Sequence, residues 1–258
     1  MWPVPRITKS VEAFADRPWS GPRDSRFYRN HLVLPLAAAL GLSVILIPLH
    51  GDFWVADKFY ALQGNAWALK SNPIVESMIH LGGRTASAIA WLLVVVAYLK
   101  SRIDARFARW HRPLAYLASA TLLAVAAVVA VKQMSGMDCP WNLTRYGGDR
   151  AFVSLFEHRL EIMPGASCFP AAHASTGYAW VTVYFFFLTT RPRLRWIGLS
   201  SALAVGAVLG FVQQLRGAHF ISHDIWALMI CWLVALIGYI SFHPAVPTSR
   251  SAIQQAPP

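Results

Sequence analysis

Acidic residues are scarce in this chain. Its 258 residues include 12 Asp and Glu against 23 Lys and Arg, and charged residues of both signs make up only 14%. Soluble domains carry about a quarter. The net charge of +11 would suit a nucleic-acid partner, but so apolar a chain excludes a nucleic-acid-binding module and a disordered chain alike. Cysteine is rare too. The three present, Cys139, Cys168 and Cys231, exclude a disulfide-dense scaffold. Internal repeats and low-complexity tracts are absent. What the chain has in abundance is apolar surface: 56% hydrophobic residues, 11 Trp and a mean hydropathy of +0.43. That balance describes a membrane protein whose positive charge collects on one side.

Six runs are apolar enough to cross a bilayer: residues 31–49, 85–99, 113–131, 172–190, 194–213 and 221–242. A spanning helix needs about 20 residues at about 1.5 Å each. The second run is short and borrows turns from residues 73–79. That borrowing puts Glu76, His80 and Arg84 on the polar part of one longer helix. Backbone groups in lipid must be satisfied within the segment, so the spans are helices. The expected fold is all-α, an integral membrane bundle of six transmembrane helices over residues 31–243. Residues 1–30 and 244–258 read as poorly ordered tails.

Fifteen of the 23 Lys and Arg fall in the first 30 residues, in the links after the second and fourth spans, and after the sixth. The opposite links hold Lys58, Lys70, Arg145, Arg150 and Arg159 beside several carboxylates. The positive-inside rule puts both termini in the cytoplasm. The Arg-rich start is too long for a cleavable signal, so the first span should act as an uncleaved anchor. Residues 51–72 and 133–171 then face the other side. Within them, residues 52–67 read either as a short outer helix or as an irregular connector. Trp141, Phe152, Phe156 and Phe169 give the second link an apolar face, suited to a lipid tail or to ordinary packing.

Costly polar residues converge on that outer face. The third span ends at Lys132, the fourth begins at Pro170-Ala171-Ala172-His173, and the fifth and sixth meet around Arg216, His219, His223 and Asp224. Each alone has an ordinary explanation, such as a snorkelling Lys or a capping His. Together they make an oxyanion site. Lys and Arg hold phosphate oxygens, and helix starts add N–H donors and a positive dipole end. Two imidazoles can divide attack and protonation. Spans nearly free of internal charge argue against a transporter. His219 and His223 are four apart, as in a zinc site, but no third ligand is evident and no Glu precedes His223.

These residues resemble the type 2 phosphatidic acid phosphatases, membrane relatives of bacterial acid phosphatases and vanadium haloperoxidases. The family's first motif is Lys, six residues, Arg-Pro. Here Lys132 is followed at that spacing by Cys139-Pro140. The second, Pro-Ser-Gly-His, reads Pro170-Ala171-Ala172-His173. The third is Ser-Arg, five residues, His, three residues, Asp. His219 fits its His, the Arg position falls on Gln213 and the Asp position on His223, with Asp224 next to it. The departures look like a divergent bacterial branch, whose members resemble phosphatases of lipid A or of polyprenyl diphosphates as much as of phosphatidate.

The resemblance implies roles by position. His219 is the nucleophile that forms a phospho-histidine, and His173 is the general acid. Lys132 is a phosphate ligand, helped by the backbone N–H groups of Ala172 and His173. His223 stands where a carboxylate should orient the nucleophile. Asp224 is the alternative, although it points about 100° away on a helix. Arg216, one turn before His219 if the helix is regular, replaces the missing Arg, with Arg145 as the second candidate. Cys139 and Cys168 flank the first two motifs, so an oxidising periplasm allows a disulfide between them. Two small buried thiols are the other reading. The implied activity is metal-independent and needs no cofactor: hydrolysis of a terminal lipid phosphate at the periplasmic face of a bacterial inner membrane. Transfer to a lipid acceptor, or a non-catalytic lipid-phosphate binding protein, would use the same residues.

Overall fold

The computed structural model describes residues 24–153 and 167–242, apart from the side chains of residues 78–81. The expected C-terminal tail, Phe156 and Arg159 lie outside the described residues, as does the N-terminal tail up to residue 23. Among the described residues the chain is helical, with one isolated bridge between Leu143 and Arg150 and no strand.

Among the described residues, five helices are long and apolar enough to cross a membrane. The first, α1 (Ser25–Leu46), starts inside what the composition marked as tail. Asp24 caps it by accepting from the Phe27 N–H at 2.8 Å. Its wide turn at Arg29–Val33 comes just before Pro35, which has no N–H to offer the ladder. A short helix α2 (Gly51–Leu62) follows, so the outer connector of residues 52–67 is helical over most of its length. The long α3 (Pro73–Ile103) runs through residues 78–85 without a break, as the short second run required. Then come α4 (His111–Ser135), α5 (residues 172–190), α6 (Arg195–Leu215) and α7 (Ile221–Phe242).

The fourth expected span differs from the others. α5 is helical throughout, but it tightens into a 3₁₀ turn at Ala179–Val181 and is not among the five long spans. It is also central. Tyr178, Val181 and Phe185 of α5 pack with Tyr116, Ala120, Ala124 and Val128 of α4 and with Ala227, Cys231, Ala235 and Tyr239 of α7. The Thr121 and Thr182 hydroxyls bond across this core at 2.8 Å, and Tyr116 donates to the Ala235 carbonyl at 3.0 Å. These bonds satisfy polar groups that lipid and side-chain carbon cannot.

Small residues set how closely α6 approaches α5. Gly198, Ala202, Gly206 and Gly210 recur every fourth residue and are all buried. A β-carbon on Gly177 of α5 would stand 2.7 Å from the Gly206 Cα, so the two backbones touch. In contrast, α1 and α3 expose Leu40, Leu42, Val44, Leu92, Leu93 and Val96, an outward apolar surface that suits a bilayer. The polar chemistry gathers at one end of the bundle, called here the site end. There α2 and the segment after α4 fold inward around a second cluster of Ala56, Leu143, Tyr146 and Phe220, packed by Phe53, Tyr60 and Trp67.

Candidate active site

Three stretches build the site. Lys132 lies in the last turn of α4, half-buried. Ala172 and His173 are the first two residues of α5, where N–H groups have no acceptor within the helix. His219 sits in the turn between α6 and α7, and His223 in the first turn of α7. The α6 end is specified locally. Gly217 adopts φ +72°, its N–H bonds to the Gln214 carbonyl at 2.9 Å, and the Ala218 N–H bonds to the Gln213 carbonyl at 2.9 Å. This paired closure ends a helix on a left-handed residue, which glycine supplies without strain. Trp67 also packs on the Gly217 Cα, leaving no room for a side chain. Another bond joins the motifs: the Ala171 N–H donates to the His223 carbonyl at 3.1 Å, fixing the α5 entry against α7.

The imidazoles face one another. His219 Nδ1 and His223 Nδ1 are 3.3 Å apart, so one is the donor and the other the acceptor. The ring centroids of His173 and His219 are 6.5 Å apart. His219 is 4% exposed and His223 fully buried. Burial pushes the His219 pKa well below its ordinary value. The nearby His223, Lys132 and His173 push it further, and the Cys168 carbonyl acts weakly the other way. Among the described residues the charged groups acting on His219 are potential cations, and the nucleophile candidate stays neutral at pH 7.

Several expected roles are corrected by what the side chains touch. Asp224 is turned toward α6, where its carboxylate accepts from the Gln214 amide and lies against Gly210. His223, not Asp224, therefore meets His219. The helix before His219 is not regular, because Gly217 ends it, so Arg216 is not one turn below the nucleophile. The Arg216 guanidinium is buried and committed: Nη2 and Nε donate to the Lys70 carbonyl at 2.7 and 3.2 Å, and Nη1 to Gln213 at 3.4 Å. Arg145 is committed as well. It makes a two-pronged pair with Asp57 of α2, at 2.8 and 2.6 Å, and the Tyr146 hydroxyl joins the same carboxylate at 2.9 Å. Asp57 is held below its usual pKa, mainly by this guanidinium. Both arginines expected to bind phosphate hold protein partners instead.

Cys139 and Cys168 are joined by a disulfide with their Cα atoms 5.3 Å apart. It ties the segment after Lys132 to the segment before His173, beside the Cys168 N–H bond to the Met137 carbonyl at 2.7 Å. Cys231 is a buried free thiol in the core. Among the described residues no group of three His, Cys, Asp or Glu could hold a metal ion.

Sequence reading missed the supports of this site. Asp52 of α2 is 6% exposed and accepts from the Ser222 N–H at 3.0 Å and from its hydroxyl at 2.5 Å. Gln63 donates to the Leu215 carbonyl at 2.8 Å. The available signal was thin: a lone acid in an apolar connector, and a Ser beside His223.

A model of the PAP2 superfamily matches residues 113–246, just over half of the chain and all three motif stretches. The chain belongs to the PAP2 superfamily. It is thus a multi-pass membrane phosphatase of phosphorylated lipids or related substrates. No curated protein and no solved structure matches it.

Proposed function

We propose that the chain hydrolyses the terminal phosphate of a membrane lipid phosphate or diphosphate through a phospho-histidine on His219. The single observation that carries this is the company His219 keeps. His223 meets it at 3.3 Å, the His173 ring centroid lies 6.5 Å from its own, and Lys132 disfavours its protonation, while the carboxylates of Asp52 and Asp224 are turned to other partners. Among the described residues, imidazoles and a lysine gather on His219, a donor set suited to an oxyanion.

The His219–His223 contact through Nδ1 leaves Nε2 of His219 for attack. With Nδ1–H donated to His223, the Nε2 lone pair attacks phosphorus in line and the bond to the lipid oxygen breaks. His173 gives that oxygen a proton. Water then attacks the phospho-histidine, the P–N bond breaks, and inorganic phosphate leaves. Lys132 and the N–H groups of Ala172 and His173 hold the phosphate oxygens. His223 fills the place of the orienting carboxylate and fixes the His219 tautomer. No step needs a metal. With six crossings, the charge bias favours cytoplasmic termini and a site on the opposite face, and the resemblance implies the periplasmic face of a bacterial inner membrane. The substrate class is lipid A, polyprenyl diphosphate or phosphatidate.

Purified protein in detergent, with chelator, tests the reading on phosphatidate, phosphatidylglycerol phosphate, undecaprenyl diphosphate and lipid A. Release that survives chelation and vanishes in His219→Ala is the expected result. No release from any of the four overturns hydrolysis.

A further inference from the structure

The family match begins at residue 113, yet the turn that carries His219 is held by residues far upstream of it. Three residues of the stretch 51–72 make polar bonds to it. Asp52 binds the N–H and hydroxyl of Ser222, at the start of α7. Gln63 binds the Leu215 carbonyl at the end of α6. The Lys70 carbonyl receives the Arg216 guanidinium. Two aromatic contacts fill the intervals: Phe53 meets Phe220 edge-on at 5.4 Å, and Trp67 covers Gly217. The turn of residues 216–222 is therefore gripped on both flanks, with His219 in its middle. Its own helices do not grip it in this way, since Gly217 breaks α6 before the nucleophile.

Asp52 is the strongest of these grips. It is buried, it comes from a separate element, and its two oxygens take two donors from one residue. Ser222 lies three residues after His219 and one before His223. A shift of the α7 start would move both imidazoles together and open the 3.3 Å contact between them. Small displacements of this kind cost rate more than affinity, because the reacting geometry is narrow.

We infer that Asp52 is a positioning residue for the reaction, a clamp from α2 that holds the α7 start and through it the His219–His223 pair. The inference rests on the phospho-histidine reading for its effect on rate, but not for its effect on the turn. Asp52 touches no substrate. It acts through Ser222, and its task is to accept hydrogen bonds, which an amide oxygen can share in.

Two measurements on the full chain test it. The first is kcat and KM for phosphate release by Asp52→Ala, Asp52→Asn and Ser222→Ala. Asp52→Ala is expected to lower kcat about 10- to 100-fold with KM changed less than about threefold, and Asp52→Asn to recover most of the loss. The second is amide hydrogen exchange over residues 216–223. Exchange there should rise in Asp52→Ala and stay near wild type in Asp52→Asn, with the α4 core unchanged. Asp52→Ala with wild-type kcat and wild-type exchange overturns the clamp. If Asp52→Ala does not fold, Ser222→Ala decides: faster exchange at the turn supports the clamp, and unchanged exchange and kcat overturn it. If the wild type releases no phosphate but Asp52→Ala loosens the turn, the clamp stands and the hydrolase reading fails.

Discussion

The two ends of the bundle use histidine in opposite ways. At the arginine-rich end, His31 of α1 is fully employed. Its Nδ1 meets the Phe27 carbonyl at 2.9 Å and its Nε2 the Tyr184 hydroxyl at 2.9 Å, while its ring stacks on Phe27 at 4.3 Å. The Trp232 indole donates to the His31 carbonyl at 2.6 Å, so α1, α5 and α7 are pinned together there. At the site end, His219 is buried more deeply than His31, and among the described residues its charged neighbours are other imidazoles and a lysine. Neither environment is visible in the residue type. A buried polar group whose bonds are all made within the protein is structure. A buried imidazole set beside other basic groups is suited to an anionic ligand.

That contrast can be broken by experiment. The largest effect is expected at His219: phosphate release should fall about 10⁴-fold or more in His219→Ala, with the protein still folded. Wild-type turnover in that variant would equate the two ends. His223→Ala should cost about 10- to 100-fold in kcat, whereas Asp224→Asn should stay within about threefold, because Asp224 faces Gln214. The reverse order in a direct kinetic comparison would return the orienting role to Asp224. Replacing Cys139 and Cys168 together by Ser should lower unfolding stability by about 3–4 kcal/mol, from the closed loop of 29 residues. Thermal unfolding in detergent reads it, and two free thiols on alkylation of non-reduced protein would remove the bond itself. At the other end, His31→Ala should cost about 1–3 kcal/mol, because it strands the Tyr184 hydroxyl, yet leave kcat within twofold.

The smallest expected effect is on pH. The folded His219 pKa lies below the unfolded value, so the unfolded chain binds more protons in the interval between them. Stability from this group is full above about pH 6.5 and is lost as pH falls toward the folded pKa. The melting temperature should therefore drop below pH 6.5 more steeply in wild type than in His219→Gln. Equal slopes would mean that His219 is not held neutral by its surroundings.

Much of this was legible in the sequence, and for definable reasons. Apolar runs long enough to cross a bilayer must be helices, so the all-α class follows from hydropathy and backbone chemistry alone. The joining of residues 73–79 to the second run follows from length. The depth at which Lys132, His173, His219 and His223 meet follows from their places at span ends, because membrane thickness fixes the register. The Cys139–Cys168 disulfide was one of two readings the resemblance left open, two buried thiols being the other, and the fold decides for the bond. The direction of side chains was decided only by the tertiary structure. Arg216 and Arg145 carry charges that suit phosphate, yet the Lys70 carbonyl and Asp57, both distant in sequence, claim them. Asp224 and His223 are neighbours in the chain, and only the close approach of Gly210 on α6 draws one away and leaves the other to His219. Composition and spacing set which groups reach the site end, because those are one-dimensional properties. Which of them face His219 depends on partners brought together by folding, and no local pattern encodes that.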